Sequence, residues 1–128
     1  MLAGRDIVFI VDRDHAVRDS LRFAVELDGV NVRTCGSCVE LLRHPELGAG
    51  CCAVIDGETL DQEGPGVLDR LEMRNDKLPV VLIADHLSRR RLARTISAGL
   101  FQVVDKPVMD DALLRCIRAV RERAENVE

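Results

Sequence analysis

The sequence predicts an α/β fold, a doubly wound parallel sheet covered by helices on both faces. Three observations carry that expectation. Five short apolar runs alternate with five segments of helical periodicity along the 128 residues. Four of the runs are nearly continuous in apolar residues, the pattern of strands buried on both faces of a parallel sheet. Strict alternation of strand and helix favours right-handed crossovers, which place helices on both sides. The length suits one domain spanning 1–128.

The elements follow in order. The first run is Ile7 to Val11. A helix follows, with Asp14 as N-cap and Val17, Leu21, Ala24 and Leu27 on one stripe. The second run, Val30 to Thr34, alternates with Asn31 and Arg33 and reads as an edge strand with one wet face. Ser37-Cys38-Val39-Glu40 has the spacing of a capping box, opening a short helix that Pro45 ends. The third run is Cys51 to Ile55, and Pro65 suits the first turn of a helix buried through Val67, Leu68 and Leu71. The fourth run, Pro79 to Ile83, leads to a helix capped by Ser88, carrying Leu92 and Ile96 and closed by Gly99. After the fifth run, Phe101 to Val104, Asp110 or Asp111 starts a helix with Leu113, Ile117 and Val120 inward. No linker, repeat or low-complexity stretch interrupts this.

Composition excludes several function classes. Hydrophobic residues make up 47% and charged residues 31%, which suits a water-soluble domain. No apolar run approaches the roughly 20 residues of a membrane helix. The first strand comes too early for a basic leader and apolar signal segment, so the expected location is cytoplasmic. A formal net charge of −4 argues against direct nucleic-acid binding, and with no Trp or Tyr there is no aromatic platform for bases.

Chemistry is expected at the carboxyl ends of the central strands. The first strand runs into Asp12-Arg13-Asp14, the third into Asp56-Gly57-Glu58, the fourth into Ala84-Asp85-His86 and the fifth into Asp105-Lys106-Pro107. A single acid at a strand end usually caps a helix. Acids from two strands and a lysine from a third point to one pocket, suited to a divalent cation, a phosphoryl group or both.

With these residues in place the sequence resembles a known family. Val8-Phe9-Ile10-Val11-Asp12, Ala53-Val54-Ile55-Asp56, Leu78-Pro79-Val80-Val81-Leu82-Ile83, Ala98-Gly99 and Asp105-Lys106-Pro107 are similar to the receiver domains of two-component response regulators, the CheY-like superfamily. The likeness is greatest to the branch that precedes a helix-turn-helix output domain, and it covers essentially the whole chain. It implies a flavodoxin-like sheet of order 2-1-3-4-5 and a cis Lys106–Pro107 peptide. It implies that Asp56 is the phosphoacceptor for a histidine kinase, that Lys106 pairs with the phosphoryl oxygens, and that Mg²⁺ assists. Asp12, Asp56 and Glu58, the last through its backbone carbonyl or side chain, would be the metal residues. Gly64 matches a glycine of the family. The function implied is signalling through a phosphorelay, not enzymatic turnover.

The chain departs from the family pattern at four positions. Arg13 stands where a second metal-binding acid is usual. Ala84 stands where a Thr or Ser hydroxyl would bond the phosphoryl group. Val103 replaces an aromatic switch residue, and Leu60 replaces a proline. If Asp12, Asp56, Arg13 and Lys106 all point inward their formal charges cancel without a metal, so Mg²⁺ is expected to be weak or absent. Arg13 either takes the metal's place, as guanidinium pairs well with carboxylates, or swings out, and Glu58 or Asp14 could supply the missing carboxylate. The alternative function is a pseudo-receiver that binds partners without phosphorylation.

Cys35-Gly36-Ser37-Cys38 offers a different alternative, a thiol redox or metal site at a helix N-terminus. The odd cysteine count argues against a disulfide framework, and Cys51, Cys52 and Cys116 read as core or near-core residues. His86 is expected near the pocket mouth, the other histidines at the surface. Arg89, Arg90, Arg91 and Arg94 on the fourth helix and Arg115, Arg118, Arg121 and Arg123 on the fifth form a basic side. In the resembled family the surface of helix 4, strand 5 and helix 5 carries dimerisation and output contacts. The side is therefore either a face for a homodimer or an acidic signalling partner, or a solvated surface paired internally.

Overall fold

Hydrophobic strands that must bury both faces need two helical layers, and the chain supplies them. The computed structural model describes residues 7–74, 78–97 and 101–126. Among these, five strands and seven helices occur in the order β1 (Ile7–Val11), α1 (His15–Glu26), β2 (Asn31–Cys35), α2 (Cys38–Leu42), β3 (Cys52–Asp56), α3 (Gly57–Glu63), α4 (Pro65–Glu72), β4 (Val80–Ala84), α5 (His86–Arg91), α6 (Ala93–Ser97), β5 (Phe101–Asp105) and α7 (Asp110–Asn126). The sheet is parallel throughout, with order β2-β1-β3-β4-β5. The expected fold and strand order are borne out, and the Lys106–Pro107 peptide is cis.

Alternate residues of each strand face opposite layers. Ile7, Phe9, Val11, Ala53, Ile55, Val80, Leu82 and Ala84 join one core with α2, α4 and the residues around α5 and α6. Val8, Ile10, Cys52, Val54, Val81 and Ile83 join the other with α1 and α7. β1, β3 and β4 are buried at every position. β5 is not: as the second edge it is half-buried and ends exposed, which corrects its reading as a fully covered strand.

Local chemistry moves several boundaries. β4 begins at Val80, not Pro79, which has no N–H for the ladder; Pro79 instead accepts from the Ala53 N–H. On α1 the inward residues are Leu21, Ala24 and Val25, while Val17 is 41% and Leu27 74% exposed. Leu27 follows the last helical residue as the C-cap, so the stripe does not extend to it. The single fourth helix expected from sequence is two, α5 and α6, parted at buried Leu92. Its N-cap is Asp85 rather than Ser88, which sits one turn in and closes a reciprocal capping box. In α2 the Ser37 hydroxyl accepts from the Glu40 N–H as expected, but the Glu40 carboxylate reaches the Gly36 N–H instead of that of Ser37. α3 has no counterpart in the sequence reading. Gly99, expected to close the fourth helix, and the Ala98-Gly99 pair lie outside the described residues.

Candidate functional site

The carboxyl ends of β1, β3 and β5 open into one pocket of about 540 Å³. Asp12, Asp56 and Lys106 line it together, with Ala16, Val17, Leu21, Ile83 and Val108 as apolar walls. Sheet register produces this convergence: Val11 pairs with Ile55, and Asp56 with Ile83, so the residues that leave these strands emerge at one level. The Lys106 N–H donates to the Ala84 carbonyl at 3.0 Å, which carries the lysine one step beyond the sheet.

Asp56 is both the last residue of β3 and the N-cap of α3. Its carboxylate is 5% exposed, and its two oxygens have different surroundings. Oδ2 accepts the Thr59 N–H at 2.9 Å and the Thr59 hydroxyl at 2.8 Å. Oδ1 is buried and meets only the Lys106 ammonium, 2.7 Å away. At that distance the contact is a short charged pair within reach of the rotatable ammonium N–H groups. Burial opposes the Lys106 charge, but the hydrogen bond and charge of Asp56, with the charges of Asp85 and Asp12, outweigh it and hold the ammonium pKa above its ordinary value.

Asp12 is buried to 6% exposure, and its Oδ1 accepts from the Asp14 N–H at 2.8 Å. Burial is the main cause that holds its carboxyl above the usual range; the Asp14 N–H opposes this and the nearby Asp56 charge adds to it. An acid made reluctant to ionise by burial, and further by a second acid, is a position that a cation relieves. Asp56 Oδ1, paired with Lys106 in the same pocket, is the other half of such a position. Mg²⁺ often takes only one or two carboxylates and fills its octahedron with water and phosphate oxygens. These residues therefore fit a weakly held ion. Among the described residues no group of three or more acids, histidines or cysteines is placed to hold a metal ion.

Of the two places expected for Arg13, the structure has the outer one: the side chain swings away from Asp12 and is about half exposed. Its guanidinium lies across the pocket rim on α3, donating to Glu58 at 2.7 Å and to Gln62. Its backbone N–H donates to the Thr59 hydroxyl oxygen at 3.2 Å. Arg13 thus does not displace a cation from Asp12, and the Glu58 side chain is occupied as its counter-ion, leaving the backbone carbonyl as the contribution Glu58 could make to a metal. Asp14 caps α1 through the Ala16 and Val17 N–H groups. Ala84 is buried with no polar side-chain atom to offer. His86 opens α5 in an exposed position and is absent from the pocket lining. Thr59 was missed by the sequence reading, yet the Asp56–Thr59 spacing is that of a helix cap and its third residue.

The thiol site is not supported. Cys35 and Cys38 are free and fully buried. Burial is the main cause that pushes the Cys35 thiol up to about 11, and it pushes Cys38 up as well, with Glu63 adding. A reactive pair needs exposed, easily ionised thiols. The basic side is partly paired within the chain: Arg89 with Asp105 at 2.9 Å, Arg91 with Asp61 at 3.1 Å and Arg118 with Asp28. The Arg123 side chain lies outside the described residues.

Comparison with known proteins agrees with this geometry. A family model described as response regulator receiver domain matches residues 8–118. The C4-dicarboxylate transport transcriptional regulatory protein DctR of Rhodobacter capsulatus is 31% identical over 109 residues, covering 84% of this chain and 55% of that protein. The transcriptional regulatory protein FixJ of Bradyrhizobium diazoefficiens is 26% identical over 119 residues, 92% of this chain and 58% of that one. The crystal structure of full-length FixJ from B. japonicum superimposes with a TM-score of 0.78 at 25% identity, covering 94% of this chain and 60% of that chain. The chain spans about half the length of the curated relatives it matches.

Proposed function

This chain belongs to the response regulator receiver domain family of two-component systems, and on that premise we propose that Asp56 is its phosphoacceptor. The observation that carries the reading is the asymmetry of the Asp56 carboxylate. Oδ2 is fixed by two donors from Thr59 while Oδ1 meets only the Lys106 ammonium, in a pocket that Asp12 and Lys106 also line. Oδ1 attacks the phosphorus of a phosphohistidine donor; the aspartyl O–P bond forms as the P–N bond breaks, and its electron pair leaves with the imidazole. Two anions must approach, so positive charge is the main requirement. Lys106 supplies it at the attacking oxygen and remains to pair with the transferred group. Mg²⁺ held by Asp12, Asp56 and the Glu58 carbonyl would add charge on the phosphoryl oxygens.

The partners proposed are a histidine kinase and a signalling output, with the face of α5, α6, β5 and α7 as the surface for a second copy. The role is that of a signal carrier, not an enzyme, in the cytoplasm; no described helix is long and apolar enough to cross a membrane. The relatives named as transcriptional regulators favour an output in gene control. A reading without phosphorylation draws support from one position, Ala84, which has no hydroxyl for the phosphoryl group. Incubation with acetyl phosphate and Mg²⁺, followed by intact mass, separates the two. One added phosphoryl group on the natural protein and none on Asp56→Asn is expected. No addition, or addition that survives Asp56→Asn, would overturn the assignment.

A further inference from the structure

We infer that the Thr59 hydroxyl sets the lifetime of the phosphorylated state, as a positioning residue that acts through Asp56. The inference rests on Asp56 being the phosphoacceptor. Thr59 is 3% exposed. Its hydroxyl donates to Asp56 Oδ2 at 2.8 Å and accepts the Arg13 N–H at 3.2 Å, so the incoming N–H directs its proton toward the carboxylate. The Thr59 N–H is aimed at the same oxygen.

The chemistry distinguishes the two states of that oxygen. In free Asp56, Oδ2 shares a full negative charge. Once Oδ1 carries the phosphoryl group, Oδ2 becomes the uncharged carbonyl oxygen of an acyl phosphate, whose negative charge lies on the phosphoryl oxygens. Hydrogen bonds to a charged acceptor are about twice as strong as those to a neutral one. The Thr59 hydroxyl therefore stabilises the carboxylate more than the acyl phosphate. On hydrolysis, water oxygen bonds to phosphorus, the Oδ1–P bond breaks with its electron pair returning to the carboxylate, and both water protons leave with the inorganic phosphate. In a loose transition state that bond is largely broken, and the carboxylate already carries most of its charge. The hydroxyl thus lowers the barrier to loss of the phosphoryl group. It leaves the barrier to uptake nearly unchanged, because there the free carboxylate and the transition state resemble each other.

That asymmetry separates the proposal from a structural role. Were Thr59 needed only to place Asp56, its loss would slow uptake. The natural protein, Thr59→Val, which keeps shape and backbone N–H but lacks the hydroxyl, and Thr59→Ser are loaded with acetyl phosphate and Mg²⁺, desalted, and followed by intact mass, with melting curves to establish folding. Thr59→Ala serves if the valine variant does not fold. Expected are uptake rates within about twofold of one another, decay of the valine or alanine variant slowed by about fivefold, and decay of Thr59→Ser at the natural rate. Decay that does not change when the hydroxyl is removed, or slower uptake with an unchanged lifetime, overturns the inference alone. A natural protein that takes up no phosphoryl group overturns the assignment of Asp56, and this inference with it.

Discussion

At the scale of single residues, the pocket trades stability for charge. The pKa of Asp12 is raised in the folded protein, by burial first and then by Asp56. A raised acid contributes stability that is fully present below its unfolded value, near 3.8, and lost as pH rises through its folded value. At neutral pH ionised Asp12 is therefore a net cost. Asp12→Asn, which keeps an acceptor for the Asp14 N–H, is expected to stabilise the fold by about 1 kcal/mol at pH near 7, a few degrees in Tm. The gain should shrink in acid; thermal melts across pH check it, and a gain that grows in acid would contradict the sign. Arg13 gives the second residue-scale prediction. Arg13→Asp removes the cation that occupies Glu58 and adds a carboxylate beside Asp12. Calorimetric Mg²⁺ titration should show affinity higher by about tenfold, and Asp56→Asn should weaken both forms. Equal, tight binding by the natural protein and Arg13→Asp would place Arg13 outside the metal's influence. The sequence displayed the acids, the lysine and the substitutions at Arg13 and Ala84. It could not show where a long, flexible guanidinium would lie, because Glu58 and Gln62 become neighbours of Arg13 only after α3 forms.

At the scale of elements, capping explains both what was legible and what was not. Asp14 and Ser37 cap their helices and Pro65 opens the first turn of its own, as their local spacing suggests. Ser88 misled because Asp and Ser three apart can each open a helix, and the reciprocal bonds to Asp85 settle which does. α3 was hidden because Gly57-Glu58-Thr59 follows an acid that the reading had already assigned to chemistry; the same acid is its cap. A longer-range cap could not be seen at all. Glu63, at the end of α3, accepts from the Cys38 N–H at 2.6 Å and the Val39 N–H at 3.0 Å, closing the start of α2 from a distant segment. Glu63→Ala should cost about 1–2 kcal/mol by urea unfolding, with Glu63→Gln intermediate. Losses within error for both would show that solvent replaces the carboxylate.

At the scale of the whole molecule, one sheet serves two cores. Period-two alternation and apolar continuity sufficed to read the fold, because parallel strands buried on both faces leave few arrangements. Ile55 faces one core and Val54 the other, from adjacent positions on β3. Ile55→Ala should cost about 3 kcal/mol and Val54→Ala about 2 kcal/mol. Each should leave a single unfolding transition, since both layers share the central strand. Amide protection followed separately on α1 and α4 is the check; two separate transitions would mean that the layers unfold independently.

The double duty of Asp56, last residue of a strand and first support of a helix, has a mechanical consequence. The N-terminus of α3 carries the positive end of the peptide dipoles, and a carboxylate there steadies the first turn by about 0.3–1 kcal/mol. Esterifying that carboxylate would leave a weaker anchor at the spot where the backbone of Gly57 is pressed closely against α5: a methyl group at Gly57 would lie 3.0 Å from the Ser88 hydroxyl and 3.1 Å from the Ile83 carbonyl. The first turn of α3 thus rests on both β4 and the start of α5, so a change in one bond at the pocket floor would be felt at Ser88, one turn into a surface helix.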